Sequence, residues 1–297
     1  MMDDITDPFG RTSRRSQRLS DEETSRRMLE TGVRMVHDSG LQLSFDLLRL
    51  EEVIDAADVS RSAVYRKWPT KAHYFADLLL ELAGQTHPAT AAYSMSTVET
   101  ACDIAEAFID ILRTPAGRRQ IAVEMCRQGA LENFETLRGL RKEDAGREWS
   151  TYVALQATLL SLPAELELEA RMRAVLRTSE ERFIEKMATF YSSMVEVVGF
   201  KVREIATLNF GTIATLGAAV VEGLAINAII VPEIAQQRFE ADPFNTGMPA
   251  EWSMPALGFT SIVMSLVEPE QPAQEWDDDR IEISRVKLRE IRDATPG

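Results

Sequence analysis

The sequence predicts an all-α protein with a small N-terminal helical domain and a larger helical body. Three observations carry that prediction. Apolar residues recur at helical spacing over most of the 297 residues. Helix-stopping signals are sharp and far apart: Ser39-Gly40, Trp68-Pro69, Thr114-Pro115, Gly139, Ser161-Leu162-Pro163 and Gly199. The composition, 45% hydrophobic and 27% charged, is that of an ordinary globular chain. No internal repeat is visible.

Residues 1–20 read as a flexible basic arm carrying Arg11, Arg14, Arg15 and Arg18, without the apolar run of a secretory signal. Ser20-Asp21-Glu22-Glu23 has the form of a capping box, with Ser20 as N-cap and Glu23 three positions on. The helix it opens buries Met28, Leu29, Val33 and Val36 and closes at Gly40. An apolar connection, 41–49, leads to a short helix over 50–57 and a second over 61–67. Trp68-Pro69 ends the second, because a residue before proline avoids helical geometry. Thr70 caps a fourth helix, 71–83, so the first domain covers 21–83.

The body, 84–267, is read as helices over 98–112, 116–137, 145–160, 164–198 and 202–231, a loop-rich excursion over 232–255, and a helix over 256–267. Segment 268–297 is either an acidic tail or a terminal amphipathic helix over 280–292. Residues 205–231 are long enough for a bilayer by the ~20-residue rule. Asn209, Glu222 and Asn227 interrupt them, and Lys201 and Arg203 are the only basic flank. A helix buried on both faces, and no membrane, is the expectation.

The net charge of −14 argues against nucleic acid until its distribution is examined. Residues 11–76 hold twelve Lys/Arg against ten Asp/Glu; the remainder holds 21 against 37. A weakly basic block is thus joined to a strongly acidic body, which would repel DNA from all faces but one.

The informative segment is 50–71. Two short helices joined by a tight turn need small residues at their crossing, supplied by Ala56 and Ala57. The turn needs left-handed geometry, which Asp58 tolerates. Val59 anchors the turn in the core and Ser60 caps the second helix. On that helix, spacing of four turns Val64 and Trp68 inward, while Arg61 with Tyr65 and Ser62 with Arg66 face out. Such side chains on an exposed short helix suit base edges and phosphates in a major groove.

This segment resembles the tetracycline-repressor-like (TetR) family of transcriptional regulators. That family's motif runs through an aliphatic residue, small residues, a turn residue, Val-Ser, a variable stretch, Leu-Tyr, two variable residues, an aromatic and Pro-Ser-Lys. Here it stands as Ala57-Asp58-Val59-Ser60, then Val64-Tyr65-Arg66-Lys67-Trp68-Pro69-Thr70-Lys71. Asp58 replaces the family's usual glycine and Ile54 its usual alanine. The resemblance covers residues 25–82. It implies an N-terminal three-helix DNA-binding domain with a helix-turn-helix, and a larger ligand-binding and dimerisation domain. Carried over by position, Arg61, Ser62, Ala63 and Arg66 would read bases, while Tyr65, Lys67 and Lys71 would contact phosphates. The implied partners are a palindromic double-stranded DNA operator, a second copy of the chain and a small-molecule effector that releases a repressor.

The two long helices 164–198 and 207–231 are the expected dimer elements. The first is apolar at Met187, Phe190, Met194 and Val198, and the second has small residues at Ala219 and Gly223, four apart. Phe108, Met125, Trp149, Tyr152, Phe183 and Phe190 are candidates to line an effector cavity, with Glu222 and Asn227 as polar contacts from a buried helix. Packed core is the plainer reading of the aromatic residues. Catalysis, metal and cofactor find no motif. His37, His73 and His87 are isolated, and Asp277-Asp278-Asp279 lacks a calcium-loop pattern. Cys102 and Cys126 read as small buried hydrophobes in a reducing cytoplasm. Two other readings stay open: a helix-turn-helix regulator under a protein partner or no ligand, and a helical lipid-binding protein or enzyme.

Overall fold

The computed structural model describes residues 19–39, 49–85, 95–141, 143–161 and 167–294. The fold is mostly helical, as the sequence predicts. The basic arm before residue 19, the cap at Gly40 and most of the apolar connection after it lie outside the described residues. In chain order the helices are α1 (Asp21–Ser39), α2 (Leu50–Ala56), α3 (Arg61–Lys67), α4 (Lys71–Gln85), α5 (Met95–Ala107), α6 (Pro115–Leu137), α7 (Glu143–Ser161) and α8 (Glu167–Val197). There follow β1 (Phe200–Val202), α9 (Phe210–Ile230), α10 (Glu233–Gln236), β2 (Phe239–Ala241), β3 (Ala250–Trp252), α11 (Met254–Leu266), β4 (Val267–Pro269) and α12 (Asp278–Ala294).

Two compact units divide the chain. The first draws its described residues from Met1–Met35 and Ser44–Leu78. Ser20 Oγ accepts from the Glu23 amide at 3.1 Å, the expected cap, while the Glu23 carboxylate turns to Arg26 and Arg27. Those guanidiniums hold its pKa down at about 2. Met28 and Val33 are buried and Leu29 is half-buried. Gly32 lets α1 meet α4 closely: a Cβ there would lie 2.3 Å from the Tyr74 hydroxyl, which donates to the Met28 carbonyl at 2.9 Å. Trp68 fills the space beneath α3, its indole N–H on Asp77 at 2.9 Å and its ring edge-on to Tyr74 at 5.2 Å.

The second unit is a helical body. In it α6 packs on α5, α7, α9 and α11, and α8 packs on α9 and α12. Thr114 caps α6 with Pro115 at its first turn, and Gly139 (φ 71°) and Gly199 (φ 69°) follow α6 and α8, at breaks the sequence marks. The helix expected over 202–231 is instead strand, turn and helix. β1 pairs antiparallel with β4, Thr207 takes φ 69°, and Asn209 caps α9 by accepting from the Thr212 amide at 3.0 Å. The apolar run concealed that cap. The 232–255 excursion holds α10 and a β2–β3 hairpin, with Phe239 opposite Trp252. Asp242 accepts from the Thr246 and Gly247 amides at 2.8 Å and closes the hairpin loop.

Of the two readings for segment 268–297, the described residues favour a helix, α12, buried through Ile281, Ser284, Leu288 and Ile291. Just before it, Trp276 is buried against Gly199, where a Cβ would fall 2.3 Å from the indole. Arg118, only 2% exposed, lies over that ring at 4.6 Å and donates to the carbonyls of Leu112, Arg113, Gln271 and Gln274. A buried charge is tolerable only when its donors are satisfied, and this one has carbonyls from both ends of the unit.

Candidate functional site

The turn between α2 and α3 is built as the residues require. Asp58 sits at φ 51°, in the left-handed region, and the Ser60 hydroxyl accepts from the Ala63 amide at 3.3 Å to cap α3. Val64 and Trp68 are buried. Of the two small residues expected at the crossing, Ala57 is buried and Ala56 exposed, because seven residues of α2 give it a single inward face. Val59 is half-buried rather than core.

Arg61, Ser62, Tyr65, Arg66 and Lys67 all lie exposed on α3, with Ala63 half-buried between them. Lys71 is exposed in the first turn of α4, its ammonium 5.0 Å from the Phe75 ring centroid. Four cations, two hydroxyls and a small residue thus share one short helix and the start of the next. That face also carries partners missed in the sequence. Glu51 of α2 accepts from the Tyr65 hydroxyl at 2.8 Å and sits 3.0 Å from the Arg61 guanidinium. Arg66 pairs with Asp21 of α1. The hydrogen bond to Glu51 raises the Tyr65 phenol pKa, so the hydroxyl stays a donor. Both acids stand in first turns, where acids ordinarily serve the helix dipole, so their sequence position gave no sign of a second contact.

The second site lies inside the body, a cavity of about 100 Å³ between α6, α8, α9 and α11. That is several times what one water needs. Of the residues expected there, Met125, Phe183, Phe190 and Glu222 line it. Phe108 does not: it is 47% exposed, because α5 ends before it and the chain enters a 3₁₀ turn, Ile109–Arg113. Trp149 and Tyr152 are buried, but in the packing of α7 away from the cavity wall. Asn227 is exposed, because α9 buries one face only. Sequence spacing did not distinguish Tyr191, Phe210 and Phe259, which also line the cavity. Tyr191 and Phe259 meet at 5.9 Å, and a Cβ on Gly217 would lie 2.6 Å from the Phe259 ring, so that glycine makes room for it. Cys126 lines the wall as well, its thiol pushed up to about 12 by burial.

Among the described residues, Glu222 is the one charged group on a wall otherwise apolar, aromatic or neutral polar. Burial first, and then the like charge of Glu180, raise its carboxyl pKa to about 7. Glu180 itself accepts from the Tyr152 hydroxyl at 2.7 Å. Tyr152 therefore bears on the cavity through Glu180, and the charge of Glu222 acts on its hydroxyl as well.

Among the described residues no cluster of His, Cys, Asp or Glu could hold a metal ion. Among the described residues one helix, α9, is long and apolar enough to cross a membrane. Its inner face, including Ile213, Gly217, Val221 and Ala225, is buried in the body.

No protein-family model and no curated protein matches the chain. Among solved structures, the chain is similar to the reduced form of NemR from E. coli, with a TM-score of 0.42 and 14% identity over 83% of this chain and 99% of that one.

Proposed function

We propose that the protein is a DNA-binding transcriptional regulator of the TetR type, acting as a homodimer in the cytoplasm and released from a palindromic operator by a small molecule held in the body. One observation carries the reading: the register of residues 57–71 resembles that family's, and α3 turns Arg61, Ser62, Tyr65, Arg66 and Lys67 outward on a buried Val64–Trp68 stripe. In this reading Arg61, Ser62, Ala63 and Arg66 face base edges, and Tyr65, Lys67 and Lys71 hold phosphates.

A seven-residue helix reads few bases, so two copies on two half-sites are needed. The sequence expects α8 and α9 to share the dimer seam, but Met187, Phe190, Met194 and Val198 are buried in the core of their own chain. The outer face of α9 supplies the surface. Leu216, Ala219, Gly223, Ile226 and Ile230 follow a 3-4-3-4 spacing, and Leu216, Ile226 and Ile230 are 44%, 40% and 80% exposed. A Cβ on Gly223 would meet nothing within 4 Å, leaving room for a second helix. That spacing is the seam of paired helices.

Footprinting on the DNA flanking the protein's own gene tests the proposal. Salt-sensitive protection of an inverted repeat is expected; protection absent at physiological salt, or indifferent to sequence, would remove the reading.

A further inference from the structure

The body's cavity has a wall chemistry that selects among ligands. Its surface is formed by the rings of Phe183, Phe190, Tyr191 and Phe259 together with methionines, and no Lys or Arg among the described residues lines it. Into this apolar space α9 brings Glu222. From α8 the carboxylate of Glu180 acts on it, and from α7 the Tyr152 hydroxyl is engaged by Glu180. The remaining titratable groups on the wall, Cys126 and Tyr191, are both held neutral by burial. Among the described residues one carboxyl therefore stands on the wall, a second acts on it from α8, and no cation lines that wall. Such a carboxyl either holds its proton or, once ionised, is stabilised by a positive charge that arrives from outside.

We propose that the cavity binds a hydrophobic monocation, an apolar body carrying one ammonium-type charge, with Glu222 as its counter-ion and the aromatic rings around it. Both features favour the same charge sign, because ring faces are negative and attract cations most strongly once desolvated. A neutral apolar ligand of the same shape would fill the space but offer an ionised Glu222 no counter-charge. An anion would add a third negative charge.

The proposal rests on the cavity being the effector site of the regulator read above, and it is tested without DNA so that the two fail separately. The full chain is dialysed to equilibrium at about pH 8, where Glu222 is ionised, against trimethylphenylammonium, its neutral isostere tert-butylbenzene, and the anion 4-tert-butylbenzoate. The cation should be retained about ten-fold or more over the isostere, and the anion least. Glu222→Gln should reduce the cation to parity with the isostere. Glu180→Gln should keep the preference and let it persist to lower pH, since the like charge that raises the Glu222 pKa is gone. Equal retention of cation and isostere by the native chain would overturn the assignment, as would retention of none of the three, or a cation preference surviving Glu222→Gln. Glu222-dependent cation binding by a protein with no operator would leave the cavity assignment standing and sink the regulator.

Discussion

In the proposed reading, the outer face of α3 and the cavity of the body would recognise ligands under opposite conditions. On α3 the polar groups stand in water, several to a face, and three of them, the cations Arg61 and Arg66 and the hydroxyl of Tyr65, already hold carboxylate partners from α1 and α2. In the body a single carboxyl stands against an apolar wall, with its proton affinity raised by burial. Solvent makes the first arrangement cheap to rearrange: exposed pairs are worth ~0–1 kcal/mol, so phosphate can displace them. The second is lined mostly by apolar groups, so one charge there would weigh more in deciding what enters. Many weak contacts suit a long polyanion, and one strong contact suits a small molecule.

Breaking the exposed site should give the largest effect. Tyr65→Ala with Arg66→Ala should lower operator affinity about a hundred-fold or more in gel shifts, at ~1–3 kcal/mol for each contact. The same variant should sediment as the native dimer, since neither side chain lies on α9. A next effect tests the link between the two copies. Ile226→Glu places a charge in the α9 stripe and should yield monomers by sedimentation, with operator affinity falling in parallel; an unchanged dimer would move the seam elsewhere.

The enclosed site answers to pH. An acid whose folded pKa is raised takes up protons on folding, so its effect on stability worsens as pH climbs from its ordinary 4.5 through about 7. Glu222→Gln should therefore stabilise the unliganded chain by about 2–3 kcal/mol at alkaline pH in denaturant melts, and much less below about pH 5. The smallest effect belongs to Glu51. Glu51→Ala frees Arg61 and Tyr65 and should tighten DNA binding about three- to five-fold, with the salt dependence steeper by up to about one counter-ion. Weaker binding would mean that Glu51 positions those side chains for DNA rather than restraining them.

The two sites also differ in how far they were legible in the sequence. The α3 face depends on residues within a short stretch, so caps, the turn at Asp58 and the Val64–Trp68 stripe could be read from spacing alone. Its carboxylate partners could not, since Asp21 lies 45 positions from Arg66. The cavity is assembled from helices far apart in the chain, and aromatic residues at helical spacing look alike whether they face a cavity, as Phe190 does, solvent, as Phe108 does, or packed core, as Trp149 does. Glu222 was visible because a charge in an apolar helix is conspicuous; Glu180, on a charged helix, was not. The four strands were missed because each has three residues, too few for alternation to register.

The clamp around Arg118 bears on the timing of biogenesis. In the first unit the tie between Tyr74 and Met28 spans 46 positions, so it becomes available early in synthesis. Arg118 must wait for Gln271 and Gln274, 153 and 156 positions later. At ~5–20 residues per second a ribosome needs roughly 8–30 s to deliver them. Throughout that interval the guanidinium and the surface awaiting Trp276 remain exposed on a nascent chain. The body is therefore expected to stay open longest during translation, and a ribosome stalled before residue 271 should leave the body's core more readily cleaved by a protease.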